Sequence, residues 1–122
     1  MKAYTDIPQS KKLAEFLPIE SADGTWKRIV IAGCNLGVPE EQQYFHDGDT
    51  AFVFYSGIGI PSWSLAALLA IIPYPTLGKH ADETWSCASW VEKVNPYFVE
   101  GCDTPIDACV AMIEKLHEQK LL

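Results

Sequence analysis

One stretch constrains this chain more than any other: Ile60-Pro61-Ser62-Trp63-Ser64-Leu65-Ala66-Ala67-Leu68-Leu69-Ala70-Ile71-Ile72-Pro73. Proline is accepted at the start of a helix and ends one further along, so Pro61 and Pro73 bracket the segment. A helix is expected over 63–72, with Ser62 as its cap. Apolar residues surround it almost completely, and such a helix is buried on more than one side. The apolar run is far short of the roughly 18–20 residues that cross a bilayer. The rest of the chain therefore has to wrap this helix.

The remaining elements follow from local signals. Thr5-Asp6-Ile7-Pro8 reads as a helix start, and the helix runs over 8–17 until Pro18. A strand is expected over 26–32, followed by a loop over 33–41. Asp47-Gly48 lies between two β-prone runs, 43–46 and 51–55, and an Asp-Gly pair in that setting is a favoured hairpin turn. The second run is apolar on both faces, which places it centrally in a sheet. The stretch 74–83 reads as a polar loop, 84–91 as a strand and 97–100 as its short partner. Thr104-Pro105-Ile106-Asp107 opens a last helix that runs to about Gln119. The order is α-β-β(-β)-α-β-β-α. The expected fold is α+β: a mostly antiparallel sheet of about four to five strands and three helices packed chiefly on one face. The length, 122 residues, fits one globular domain over 1–122.

Composition narrows the function classes. Sixteen acids against nine bases give a net charge of −7, and no Lys or Arg occurs in 29–78. Nucleic acid and anionic lipid both select basic surfaces, so neither is an expected partner. The first residues, Met1-Lys2-Ala3-Tyr4-Thr5-Asp6, carry no apolar leader, so a cytoplasmic location is expected. Cys34, Cys87, Cys102 and Cys109 contain no C-x-x-C pair, which leaves free thiols rather than a structural zinc site or other metal centre.

Three segments carry a resemblance. They are Gln9-Ser10-Lys11-Lys12-Leu13-Ala14 through Leu17-Pro18 to Glu20-Ser21-Ala22-Asp23, the central run from Ile60 to Leu69 with Pro73, and Thr104-Pro105-Ile106-Asp107-Ala108-Cys109 leading to Met112-Ile113 and Lys115-Leu116-His117-Glu118. Together they resemble a group of short proteins of gut-bacterial genomes, their phages and mobile elements. The resemblance implies a small stand-alone protein of phage or mobile-element origin, and it brings no activity, cofactor or catalytic residue with it.

Candidate sites are weighed against plainer roles. Gly57-Ile58-Gly59 resembles part of a phosphate loop, but the third glycine and the lysine are missing. His46, Asp47 and Asp49 could hold a cation, although Asp47 is already explained by the turn. Cys87 or Cys102 could be a nucleophile with His80, His46 or His117 as base, without a local signature to support them. Aromatic residues are the most suggestive set, with four Trp, five Tyr and five Phe. Trp85 and Trp90 are five apart, so a regular strand sends them to opposite faces, one toward the core and one toward solvent. The favoured reading is a binding or accessory protein that acts by protein–protein contact on a host protein or on a second copy of itself. No catalytic residue or cofactor is expected. Its contact residues are drawn from Tyr55, Ser62, Trp63, Trp85 and Trp90. The alternative is a small-ligand-binding protein or small enzyme. Its pocket lies between the sheet and the turn 56–63, walled by Tyr55, Ser62, Trp63 and Trp85, with His80 or Cys87 supplying the chemistry.

Overall fold

A computed structural model describes residues 2–29, 37–92 and 94–122. They fall into two compact units, Asp6–Trp63 and Ser64–Leu122, the second joined by the N-terminal residues up to Thr5.

The first unit opens with α1 (Ile7–Ala14). The Asp6 side chain accepts from the Gln9 N–H at 2.8 Å, and the Gln9 side chain accepts from the Asp6 N–H at 3.1 Å. This reciprocal box satisfies two amides that a helix start would leave orphaned. Three strands follow: β1 (Gly24–Arg28), β2 (Tyr44–Asp47) and β3 (Ile60–Ser62), paired antiparallel in the order β2-β1-β3. The tail of the strand expected over 26–32, residues 30–32, lies outside the described residues, as does Cys34. Buried Ile7, Leu13, Val53 and Trp63 form this unit's core.

The expected Asp47–Gly48 hairpin does not form. Residues Ala51–Ser56 are a helix, α2, rather than a central strand. Asp47 Oδ1 accepts from the Asp49 N–H, and Asp49 Oδ1 accepts from the Ala51 N–H, each at 2.9 Å. These two Asx turns wind the chain into α2 before strand pairing can begin. Gly57, with φ of 66°, ends α2 in the left-handed conformation that favours glycine. Local hydrogen bonds thus override the β preference of Phe52, Val53, Phe54 and Tyr55. With a helix in front of Gly57-Ile58-Gly59, the strand-to-helix setting of a phosphate loop is absent there.

The second unit contains α3 (Leu65–Ile71), β4 (Pro75–Lys79), β5 (Trp85–Ser89), β6 (Tyr97–Cys102) and α4 (Pro105–Glu118). Ser64, not Ser62, caps α3, accepting from the Ala67 N–H at 3.2 Å. This helix is not buried all round. Leu68 and Ile72 are buried, while Ala66 and Ala70 face solvent, where their small side chains leave little apolar surface uncovered. The stretch expected as a loop over 74–83 supplies β4 instead. Glu83, with φ of 68°, lets the chain reverse and pair β4 with β5. The sheet order is β4-β5-β6, all antiparallel. Among the described residues, four α-helices and two three-stranded antiparallel sheets thus replace three helices and one larger sheet, within the α+β class. Among the described residues, no helix is long and apolar enough to cross a membrane.

The strongest burial belongs to α4. Thr104 caps it, accepting from the Asp107 N–H at 3.1 Å, and Lys2 pairs with Asp107 at 2.7 Å. Ile106, Cys109, Met112, Ile113 and Leu116 are fully buried in a helical stripe facing β5, β6 and α3. Replacing Leu116 with Ala should cost about 2–5 kcal/mol, because it opens a cavity in that stripe. An Ala70→Ser change on the exposed side of α3 should stay within about 0.5 kcal/mol. Denaturant unfolding of the two variants beside the parent chain checks both values.

Candidate functional site

β5 is the central strand of its sheet, and its two faces differ. Side chains alternate along a strand. Cys87 points to one face, toward Cys109 of α4. Register pairs Thr76 with Ala88, and Ala88 with Phe98, so these three form a row on the opposite face, away from α4. Trp90 lies on the same side: its Nε1–H donates to Thr76 Oγ1 at 3.3 Å. Its backbone N–H donates to the Tyr74 carbonyl at 3.2 Å, and Ser89 Oγ donates to the Pro73 carbonyl at 2.6 Å. These bonds extend the hairpin by one residue pair beyond the strands. They hold Tyr74 and Trp90 opposite each other at its end.

Tyr74 sits at φ 45°, a left-handed conformation that costs a non-glycine residue about 1–2 kcal/mol. Its side chain is the price of no core contact: Tyr74 is 75% exposed, Trp90 41% and Phe98 44%. Between Tyr74 and Trp90 opens a cleft of about 740 Å³, lined by Tyr74, Pro75, Thr76, Trp90 and Val91. That volume lies within the roughly 300–1,000 Å³ of small-ligand and anchor pockets. Two aromatic rings, a proline, a valine and a threonine line it. No carboxylate, imidazole or thiol is among these residues, so the lining suits apolar and aromatic contact rather than proton transfer.

A second arrangement has the outward form of catalysis. His46 Nε2 and Ser62 Oγ are 2.7 Å apart, the spacing of a base and a nucleophile. The bond crosses the middle strand of the first sheet. His46 is opposite Trp26, Ser62 is opposite Gly24, and the imidazole reaches over Gly24. A Cβ at Gly24 would come within 2.6 Å of Ser62 Oγ and 2.7 Å of His46 Nε2, so only glycine leaves this passage open. Ser62 is fully buried, and no substrate carbonyl can reach Oγ in this conformation. The bond instead satisfies a hydroxyl that would otherwise be buried without a partner. Burial lowers the His46 pKa, against opposing pulls from Asp23 and Asp47.

The other sequence candidates are found in separate places. Trp63 is fully buried, and its Nε1–H donates to Ser21 Oγ at 2.9 Å. Tyr55 is 91% exposed on α2, so it walls no enclosed pocket. Trp85 is half-buried on β5, with the Lys79 ammonium 6.0 Å from its ring centre. His80 stands in the β4–β5 turn, its N–H bonded to the Thr84 carbonyl at 2.8 Å. Cys87 and Cys109 are fully buried, and the Cys87 contact together with burial pushes the Cys109 thiol up, away from a reactive thiolate. Asp47 binds Lys27 Nζ at 2.8 Å as well as the Asp49 N–H, which lowers its pKa. Asp47 and Asp49 thus serve the turn. Among the described residues, no group of three or more His, Cys, Asp or Glu side chains is placed to hold a metal ion. Sequence reasoning singled out Trp90 but missed Tyr74. The available signal was its position in Pro73-Tyr74-Pro75, where the following proline disfavours helix and each proline removes a donor.

The chain was compared with known families, curated proteins and solved structures, and it matches none of them.

The His46 shift has a defined consequence for stability. A histidine whose pKa is lower folded than unfolded adds stability that is fully present above about pH 6.5. That stability is lost as the pH falls from there toward the folded value. Melting temperature should therefore fall between about pH 6.5 and pH 5 more steeply for the parent chain than for His46→Gln. Parallel melting curves across that window check the difference in slope.

Proposed function

We propose that this chain is a small binding protein that acts by protein–protein contact, through the face of the β4-β5-β6 sheet turned away from α4. The cleft between Tyr74 and Trp90 carries this reading. Two exposed aromatic rings are held at the end of a hairpin by backbone bonds, and one of them keeps a strained backbone. Rigid, partly exposed Trp and Tyr side chains are the residues that most often dominate binding energy at protein interfaces. Phe98, on the same face, extends the apolar surface beyond the cleft. The net charge of −7 supports a protein partner over nucleic acid. The three described cysteines are free thiols, which supports a cytoplasmic setting. The resemblance to short gut-bacterial and phage proteins makes a host protein the first partner to seek.

The small-ligand reading rests on the same cleft, and one experiment separates the two. The tagged chain is used to capture proteins from a gut-bacterial lysate treated with nuclease, beside Trp90→Ala and Tyr74→Ala. A partner held by the parent chain should be lost by about thirtyfold in each variant, the size of a 2 kcal/mol anchor. Melting temperatures should stay close to the parent's, because both side chains stand outside the core. A partner retained equally by both variants would remove the cleft from the binding surface. A lysate that yields no partner, with a thermal shift on a small-molecule screen, would move the assignment to the ligand-binding reading.

A further inference from the structure

The two edges of the second sheet are finished differently. Along β4 and β5, the Trp90 N–H bonds the Tyr74 carbonyl and the His80 N–H bonds the Thr84 carbonyl. Hydrogen-bonded pairs alternate in an antiparallel ladder. Thr76 and Gly78 therefore direct their backbone groups inward to Ala88 and Ser86. Leu77 and Lys79 direct their N–H and C=O groups outward, and Pro75 directs its carbonyl outward. On the opposite edge, the same alternation turns the Phe98 carbonyl of β6 outward, and there Lys115 Nζ donates to it at 2.9 Å. β6 is also irregular, with a register shift opposite Trp85 and Cys87 and a left-handed Gly101 at φ 77°. A capping lysine and an irregular ladder are the devices that close an edge against further strands. Among the described residues, nothing hydrogen-bonds the outward groups of Leu77 and Lys79.

We infer that the β4 edge is a self-association surface, and that its occupant is the β4 strand of a second copy of this chain, paired antiparallel about a two-fold axis at Leu77. The strand is complementary to itself in this register. Each Leu77 N–H meets the other copy's Leu77 carbonyl, and each Lys79 N–H meets the other copy's Pro75 carbonyl. Pro75, which has no donor to offer, is used only as an acceptor. The two Lys79 ammoniums stand at opposite ends of the contact, so like charges do not face each other. Pro75 and Lys79 also limit the pairing to this short segment, which gives a closed two-fold dimer rather than an open array. The axis stands normal to the sheet. It keeps both α4 helices on one side and brings both Trp90 faces to the other.

The test uses the full chain at concentrations from about 1 µM to about 500 µM, spanning weak to moderate affinities. Sedimentation velocity should show a monomer passing to a dimer. Amide hydrogen exchange, resolved by residue, should slow by about tenfold or more at Leu77 and Lys79 over the same range. The amides of Thr76 and Gly78 bond to β5 in both states and serve as internal controls. Leu77→Lys sets two ammoniums against each other at the axis and should remain a monomer throughout, with unchanged circular dichroism. If that variant fails to fold, the exchange pattern of the parent chain decides. A parent chain that stays monomeric to the highest concentration would overturn the inference. A dimer that leaves the Leu77 and Lys79 amides exchanging freely would also overturn it, by placing the contact elsewhere.

Discussion

The second unit depends on the burial of one helical stripe. Ile106, Cys109, Met112, Ile113 and Leu116 of α4 are fully enclosed against β5, β6 and α3. At roughly 1.5–3 kcal/mol for each large apolar side chain, this contact outweighs any single polar interaction in that unit. It also decides the chemistry of the sheet. One face is sealed by α4 and carries Cys87 as a small core residue. Among the described residues of this unit no helix packs on the other face, and there Thr76, Trp90 and Phe98 reach solvent. The open aromatic face follows from where α4 packs.

The first unit settles a different conflict. Its short sheet buries a serine hydroxyl, and a buried hydroxyl needs a partner. The absent side chain of Gly24 gives His46 a route across the middle strand to Ser62. A pair with the spacing of a catalytic dyad is thereby explained by the demands of the fold, and the full burial of Ser62 separates the two roles. Trp63 repeats the pattern one residue later, with its indole N–H answered by Ser21.

Signals confined to a few neighbouring residues were legible in the sequence. Thr104 caps the last helix as its spacing to Asp107 suggests, a cap-type residue before Pro8 marks the first helix, and Pro18 follows it. The odd spacing of Trp85 and Trp90 sends one of them toward solvent without saying which, and Trp90 is the more exposed of the two. Two elements were not legible, for opposite reasons. The run from Ala51 to Tyr55 has β-prone side chains, yet the carboxylates of Asp47 and Asp49 fold the backbone before it into Asx turns, and helix wins. The stretch from Pro75 to Lys79 has weak strand character, with a proline and a glycine in five residues, yet pairing with β5 makes it a strand. That pairing depends on a left-handed Glu83 in the turn, a conformation that no residue pattern there announces. The cleft inherits this difficulty. The sequence named Trp90 as a contact residue but placed the pocket at the turn 56–63, and Tyr74 faces Trp90 only once β4 exists.

The central claim is that this sheet has a sealed face and an open aromatic one, and hydroxyl-radical footprinting of the intact chain tests it most directly. Oxidation read residue by residue should reach Tyr74 and Trp90 rapidly while sparing Trp63 and Met112, whose side chains are as reactive but fully buried. Protection of Trp90 equal to that of Trp63 would contradict the account, since the proposed contact surface would then be part of the core.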